Sequence, residues 1–248
     1  MRRCHKAKST PACVKMVNDM HAEFWIDKWQ KAEIGFHLED YHPMLTRHWR
    51  TLGVGAGARV FVPLCGKSLD MIFLLRQGCQ VIGNELSPIA IQQFFADQNL
   101  QVTSTTVSGI TVYEAAGIRL IQGDFFQLDR QTLGSFEAVY DRASLIAMPP
   151  DLQHHYAEHL LALAPVAAPI LLITLDYDPA EMNGPPFATP ADQVTRLFGA
   201  SFHIKMLERI DALADNPALQ RRGLTALSET AWHLRPRDRA SNHMGMIW

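Results

Sequence analysis

The sequence predicts an α/β protein with a doubly wound, mostly parallel, seven-stranded sheet, helices on both faces and an antiparallel C-terminal edge. Short apolar runs alternate along the chain with helical segments, which is the order of a βαβ fold. The runs are continuous rather than alternately apolar and polar, as expected for strands covered on both faces. With 48% hydrophobic residues among 248, the chain has enough apolar material for one sizeable core.

Two helices are predicted before the first strand. Phe24, Trp25 and Trp29 recur at helical spacing within residues 23–31. A second helix is predicted at residues 43–52, because a glycine-rich stretch follows it and stops it. Both helices therefore precede the alternating part of the chain.

The remaining elements follow in order, each as an apolar or β-branched run or as a segment with helix start and stop signals. Strands are predicted at residues 59–64, 80–86, 118–122, 136–141 and 170–176, with two further β segments at 202–210 and 224–234. Helices are predicted at residues 68–77, 88–97, 151–163 and 190–198. The Thr-rich residues 102–112 predict a small hairpin around Gly109, outside the seven-stranded count.

Composition and charge disfavour several classes of function. The net charge of −2 and the scattered Lys and Arg predict no nucleic-acid partner, since such binders carry a basic stripe. The longest apolar run, residues 160–175, is shorter than the roughly 20 residues that span a bilayer, so no membrane partner is expected. The four cysteines fit no metal site or disulfide scaffold, and no secretion signal follows the basic N-terminus. These features predict a cytoplasmic protein.

One domain is expected at residues 20–234, because α/β folds of roughly 200–250 residues often form a single unit. Residues 1–19 show no periodicity and are predicted to be a disordered extension, with Met20 as an alternative start. Residues 235–248 are predicted to be a flexible tail. A monomer is expected, since nothing in the sequence requires more.

Two strand ends predict a nucleoside-containing ligand, because ligands of such sheets lie beyond the carboxyl ends of the strands. Gly66 follows the first strand, where backbone passes close to a ligand; the alternative is an ordinary turn glycine. Glu85 stands nineteen positions later, at the spacing of a ribose-binding carboxylate; the alternative is a charge flanking the next helix. The GxGxxG motif is absent, which disfavours NAD.

Two further strand ends carry candidate residues. Asp124 and Phe125 follow the strand at 118–122, where a carboxylate and a ring could hold an adenine. The alternative is a turn followed by core phenylalanines. Arg142 follows the next strand and could bind an anionic substrate atom, the alternative being an ion pair with Asp141.

A metal site is not expected. His155, Glu158 and His159 match the HxxEH pattern of inverted zinc peptidases, and residues four apart share a helix face. No third ligand stands out downstream, and the segment lies where a helix should cover the sheet. A solvated His-rich face is the favoured interpretation.

These strand ends, in this order, resemble the class I S-adenosylmethionine-dependent methyltransferases, and more closely the bacterial members of the thiopurine S-methyltransferase family. PLCGKS (63–68) and YDRASL (140–145) are distinctive of that family. The resemblance runs from about residue 24 to 234. Its matching stretches are FWIDKWQKAEIGFH (24–37), RVFVPLCGKSLDM (59–71), VIGNELS (81–87), GDFFQL (123–128), VYDRASLIAMPP (139–150) and LLITLDYDPAEMNGPPF (171–187).

The resemblance implies a Rossmann-like methyltransferase fold and S-adenosylmethionine as cofactor. It also implies the residues of the site. The implied cofactor-binding or bordering residues are Trp29, Leu64, Gly66, Glu85, Asp124, Phe125 and Arg142. Arg142 resembles the arginine that the family places next to the thiopurine and is the candidate catalytic residue.

Two more residues are candidates on the substrate side. Phe36 lies in a turn after the first helix that could close as an apolar lid over both ligands. Lys205 stands where vertebrate relatives have a second substrate-side arginine, and lysine lacks the planar fork of that residue. With a small thiol as the expected partner, the reaction is direct displacement, which needs alignment but no metal.

Other functions stay open at this level. A relative could methylate halide, thiocyanate, other small thiols, or selenium and tellurium species on the same scaffold. An NAD-dependent oxidoreductase is disfavoured by the missing glycine pair. A non-catalytic protein that only binds the cofactor would never turn over with any acceptor.

Overall fold

A computed structural model describes residues 22–165 and 168–237. Within these residues the strands are β1 (Arg59–Val62), β2 (Gln80–Glu85), β3 (Thr103–Val107), β4 (Ile110–Ala115), β5 (Ile118–Gln122), β6 (Ala138–Asp141), β7 (Ile170–Asp176), β8 (Phe202–Asp211) and β9 (Ser228–Pro236). The helices are α1 (22–30), α2 (Pro43–His48), α3 (Asp70–Arg76), α4 (Pro88–Asp97), α5 (Arg130–Leu133), α6 (Pro150–Leu163), α7 (Ala191–Phe198) and α8 (Pro217–Arg221). A 3-10 turn, Trp49–Leu52, completes the second predicted helix.

The sheet is doubly wound, as predicted. Its order is β3-β4-β5-β2-β1-β6-β7-β9-β8, and the five central strands from β5 to β7 run parallel. Phe61 packs into a core with α6 and α7, whereas Val60 and Val62 pack into a second core with α2, α3 and α4. Successive side chains of a strand face opposite sides, so a continuous apolar run fills both cores.

The sheet has nine strands in the described chain, and the predicted count of seven is wrong. The Thr-rich hairpin is not an appendage, because β4 pairs antiparallel with β5 and extends the sheet at that edge. Val112 packs against one core and Tyr113 against the other, so β4 covers both faces of its neighbour. The outermost strand, β3, is exposed along its whole length.

The antiparallel C-terminal edge is confirmed. β7 pairs with β9, and β9 pairs with β8, with a bulge between Met206 and Glu208. β9 extends through Arg235 to Pro236, opposite the start of β8, so the expected flexible tail does not begin at residue 235. The predictions for residues 1–19 and for 238–248 lie outside the described residues.

The long apolar run at residues 160–175 divides between the end of α6 and β7. In the part of the chain that the structure describes, no helix is both long and apolar enough to cross a membrane. Leu160 and Leu163 face the sheet, where they join the core that β7 lines with Ile170 and Leu172. The run is therefore core material of two elements.

The fold positions a cleft between β1 and β6. In the sheet, β2 and β5 lie on one side of β1, and β6 and β7 lie on the other. The loops that leave the carboxyl ends of these strands diverge at this point, which is where ligands bind in open α/β sheets. All four strand ends singled out in the sequence meet at this edge.

Candidate active site

A cavity of about 440 Å³ lies at this edge of the sheet, within the size range of small-molecule sites. We call its two parts the β2 side, formed by residues that follow β1, β2 and β5, and the β7 side, formed by residues after β6 and β7, on β9 and in α8. α1 and the turn after it cover both. The predicted residues that line the cavity are Trp29, Phe36, Leu64, Gly66, Glu85, Asp124, Phe125 and Arg142.

On the β2 side, Glu85 is held by backbone donors. The amide of Gly66 donates to Oε2 at 2.8 Å, and the amide of Ser87 donates to Oε1 at 2.7 Å. Burial raises the pKa of the Glu85 carboxyl, and these backbone hydrogen bonds oppose the rise. Each carboxylate oxygen keeps acceptor capacity, so a ligand with two adjacent hydroxyl groups can donate to it.

Gly66 and Leu64 both have a left-handed backbone, with φ of 53° and 44°. A Cβ on Gly66 would lie 3.2 Å from Cζ2 of Trp29, so the close approach that needs glycine is to this indole. Gly66 also lines the cavity, so its place beside a ligand stays a prediction, with the indole of Trp29 packed against its Cα. The positive φ of Leu64 is backbone strain of the kind that clusters at functional sites.

Aromatic rings from α1 and the turn after it form one wall of the cavity. Trp29 is buried, and its ring lies 5.7 Å from that of Phe36 in an edge-to-face arrangement. Trp25 packs on the other side of Phe36 at 5.5 Å. These edge-to-face contacts hold Phe36 against the helix, which ties the turn to α1.

Asp124 and Phe125 lie on the β2 side, but both also serve the fold. Asp124 caps a short 3-10 turn by accepting a hydrogen bond from the Phe126 amide at 3.0 Å. Phe125 is buried and stacks on Tyr156 with ring centres 4.8 Å apart. The two interpretations of this segment therefore coexist, because the core residues that shape the turn also line the cavity.

Arg142 is not paired with Asp141, which excludes the alternative of a plain ion pair. Asp141 is buried and accepts hydrogen bonds from the Tyr156 hydroxyl at 2.7 Å and the Leu145 amide at 3.1 Å. Burial raises the pKa of Asp141 to about 6. Arg142 turns the other way, into the cavity, and donates to the carbonyl oxygen of Phe36 at 3.2 Å.

Within residues 22–165 and 168–237, no carboxylate forms a salt bridge with Arg142. Its positive charge therefore faces the cavity, while one of its N–H groups donates to the carbonyl oxygen of Phe36. Ala143, the next residue, has a φ of 60°, and the Ser144 hydroxyl is tied to the Pro63 carbonyl at 2.8 Å. The loop after β6 is thus held in a strained form that directs the guanidinium inward.

Comparison with known proteins now decides the family. Residues 20–237 match the family model described as thiopurine S-methyltransferase. A thiopurine S-methyltransferase of Nitrosospira multiformis is 45% identical over 218 residues, covering 88% of this chain and 99% of the relative. That of Methylococcus capsulatus is 45% identical over 217 residues, covering 87% and 98%. The chain belongs to the thiopurine S-methyltransferase family.

Solved structures agree on the fold. The 1,6-didemethyltoxoflavin-N1-methyltransferase of Burkholderia thailandensis, solved with S-adenosylhomocysteine, gives a TM-score of 0.60 at 15% identity, covering 95% of this chain and 94% of that one. A TehB-like methyltransferase of Corynebacterium glutamicum gives 0.51 at 12% identity, covering 88% and 100%. With the family assignment, these findings confirm the predicted Rossmann-like S-adenosylmethionine-dependent methyltransferase.

Lys205 is the predicted site residue that does not line the cavity in this family member. It is exposed on β8 and pairs with His233, which pairs with Leu171 near the amino end of β7. The cavity lies beyond the opposite end of β7. This position contradicts the predicted contact between Lys205 and the substrate, and the reason is the register of an edge strand that the sequence does not reveal.

Two other charged residues lie on the β7 side, and neither is among the site residues predicted from the sequence. Arg222, directly after α8, lines the cavity and donates to the carbonyl oxygens of Pro185 and Gly184 at 2.7 and 3.0 Å. Glu229, on β9, also lines it. Both come from C-terminal segments without a recognisable motif, so no pattern in the sequence singles them out.

The HxxEH pattern has a packing explanation. His155 stacks on Phe126 with ring centres 4.9 Å apart, and His159 meets Phe125 edge-on at 5.1 Å. Among the described residues, no group of three or more His, Cys, Asp or Glu side chains is placed to hold a metal ion. These histidines instead cover the outer side of the phenylalanines next to Asp124.

Proposed function

We propose that this enzyme transfers a methyl group from S-adenosylmethionine to the sulfur of a thiopurine or a similar small aromatic thiol. The observation that carries the proposal is the guanidinium of Arg142, which faces the cavity without a carboxylate partner in the described chain. An anionic or polarised sulfur is a natural counterpart for this charge. The names of the relatives support the same acceptor class.

The β2 side has the features that the cofactor needs. Glu85 offers a fixed carboxylate to the two ribose hydroxyls, and Phe125 with Asp124 offers a ring and an acceptor to the adenine. Trp29, Leu64 and Gly66 border the same space at the end of β1. When bound, S-adenosylmethionine supplies an electrophilic methyl group on a sulfonium sulfur.

The β7 side receives the acceptor. Arg142 holds the acceptor sulfur by charge, and Phe36 covers it from the turn after α1. Because Arg142 is bonded to the Phe36 carbonyl, the lid and the charge are positioned together. Alignment of this kind can contribute roughly 7–11 kcal/mol to a displacement in the best intramolecular models.

Methyl transfer from labelled S-adenosylmethionine to 6-mercaptopurine tests the proposal, with S-adenosylhomocysteine binding measured in the same preparation. Arg142→Ala should lower kcat by about 100-fold while changing S-adenosylhomocysteine affinity much less, because the guanidinium acts on the acceptor sulfur. Arg47→Ala is the control, since Arg47 is an exposed arginine paired with Glu208 outside the cavity.

Cofactor binding without transfer to any thiol would overturn the acceptor class. Loss of S-adenosylhomocysteine binding in Arg142→Ala, with an unchanged rate at saturation, would overturn the acceptor role of Arg142. If the wild type bound no S-adenosylhomocysteine, the whole proposal would fail.

We also propose that the enzyme acts in the cytoplasm as a monomer on a small-molecule substrate. Cys65 and Cys79 are buried free thiols, which suits a reducing compartment. Size-exclusion chromatography with light scattering tests the monomeric state, and a dimer at assay concentration would contradict it.

A further inference from the structure

A carboxylate on the β7 side is not explained by thiolate binding. Glu229 lies on β9 opposite Leu175 of β7, and both residues line the cavity. β9 is two strands away from β6, whose end carries Arg142, so the two backbones are on the order of 10 Å apart. Long side chains reaching inward from both positions can contact opposite ends of one small heterocycle. A negative charge there would repel an anionic acceptor. The presence of Glu229 therefore needs a different explanation.

Glu229 is held in place by a buried chain of polar groups. Its Oε1 lies 3.1 Å from Nε2 of His42. Nδ1 of His42 accepts a hydrogen bond from the Met44 amide at 3.3 Å, so the proton of a neutral ring is on Nε2 and points to Glu229. His42 is itself buried, so its ring cannot turn away into solvent.

The chain continues away from the cavity. The His42 amide donates to Oδ1 of Asp70 at 2.7 Å, and the Tyr140 hydroxyl donates to Oδ2 of the same carboxylate at 2.9 Å. Asp70 and Tyr140 are both buried. Oε1 of Glu229 is therefore bound to a fixed donor, while Oε2 has no hydrogen-bond partner among the described residues. One oxygen anchors the side chain and the other is available at the cavity.

We propose that Glu229 accepts a proton during methyl transfer from the ring N–H next to the C=S group of a heteroaromatic thione acceptor. This inference rests on the proposed function. A sulfur lone pair forms the new S–CH₃ bond, and the methyl–sulfonium bond breaks with its electron pair left on the departing sulfur. The N–H bonding pair forms C=N as the proton moves to Oε2 of Glu229, and the C=S π pair returns to the acceptor sulfur. The product is a neutral methylthio heterocycle, and His42 is a positioning residue that orients the base.

Arg142 and Glu229 then have complementary tasks. The guanidinium stabilises negative charge on sulfur, and the carboxylate removes the positive charge that a neutral thione would gain on methylation. A thiol that is already ionised and carries no ring N–H needs only the guanidinium. General-base assistance typically contributes 10²–10⁴-fold, so the two acceptor types should respond differently to loss of Glu229.

Glu229→Gln tests the inference with two acceptors, 6-mercaptopurine and 4-nitrobenzenethiol, which has no ring N–H. The amide keeps the shape of the side chain and an oxygen for His42, but it cannot take a proton. We expect kcat for 6-mercaptopurine to fall about 100-fold and kcat for 4-nitrobenzenethiol to change less than about 3-fold. S-adenosylhomocysteine affinity should stay at the wild-type value, which shows that the variant is folded.

Glu208→Gln is the matched control. Glu208 lies on the adjacent edge strand, pairs with Arg47 and His48, and does not line the cavity. Its replacement should leave kcat for both acceptors at the wild-type value. Equal losses with both acceptors in Glu229→Gln would overturn the proton transfer, and so would a wild type that methylates only 4-nitrobenzenethiol. A wild type that methylates neither would overturn the proposed function together with this inference.

Discussion

The two sides of the cavity are built in different ways. On the β2 side, Glu85 is held by the backbone amides of Gly66 and Ser87, and these donors lie in turns that directly follow strands. On the β7 side, Arg142, Arg222 and Glu229 reach the cavity on long side chains from three separate segments. Their partners are carbonyl oxygens and a buried histidine rather than neighbouring amides.

This difference indicates that cofactor binding and acceptor selection depend on separate parts of the cavity. A site made of backbone donors changes little unless the turn changes, so the β2 side suits a ligand that never varies. A site made of long side chains can change its chemistry by single substitutions that leave the sheet intact. We therefore expect substitutions on the β2 side to lower cofactor affinity and stability together. Substitutions on the β7 side should change only KM or kcat for the acceptor.

Glu85→Gln should give the largest effect. Both carboxylate oxygens accept a backbone N–H, so the amide nitrogen of glutamine would face a donor wherever it points. A buried donor left unsatisfied costs about 1–3 kcal/mol, which adds to the lost ribose contact. S-adenosylhomocysteine affinity should fall about 100-fold by calorimetry, with a lower Tm.

Glu114→Gln is the control for that experiment, because Glu114 is exposed on β4, pairs with Arg119 and does not line the cavity. This variant should keep the wild-type Tm and affinity. Unchanged S-adenosylhomocysteine affinity in Glu85→Gln would break the comparison, since the backbone-held carboxylate would then have no part in binding.

Gly66→Ala should have a smaller effect that Gly109→Ala can calibrate. Both glycines have positive φ, 53° and 82°, and alanine is strained at either. Only Gly66 has a neighbour, because a Cβ would lie 3.2 Å from Trp29, whereas nothing lies within 4 Å of Gly109. Gly66→Ala should lower S-adenosylhomocysteine affinity about 10-fold and Tm further than Gly109→Ala, by displacing Trp29 and with it α1. Equal Tm losses would mean that the Trp29 contact carries no weight.

The fold was largely predictable because its central strands are buried on both faces. β5 and β7 match their predicted ranges, as does α4, which Ser87 caps by accepting a hydrogen bond from the Ala90 amide. α5 and α8 were missed because helices of four and five residues leave no periodic pattern. The strand count failed at β4, because membership of a sheet depends on edge pairing and not on local pattern.

The site divides along the same line. Gly66, Glu85 and Arg142 were found because each directly follows a parallel strand, and such ends meet at one edge whatever the details of packing. Lys205 was misplaced and Glu229 missed because β8 and β9 are antiparallel, and their register decides which end of the sheet a residue reaches. A strand of alternating burial such as β8 shows its faces in sequence, but not its shift along the neighbour.

Arg222→Gln and Lys205→Gln should give the smallest effects, and the pair sharpens the contrast between predicted and observed cations on the β7 side. Arg222 lines the cavity but is exposed, so its charge is screened and its contribution to acceptor binding is modest. We expect KM for 6-mercaptopurine to rise about 5-fold in Arg222→Gln with kcat nearly unchanged, and no change in Lys205→Gln. If KM rose in Lys205→Gln but not in Arg222→Gln, the acceptor would bind next to the edge strand β8 rather than next to α8. A fall in kcat in Arg222→Gln would instead give Arg222 a role in methyl transfer that its bonds to Gly184 and Pro185 do not suggest.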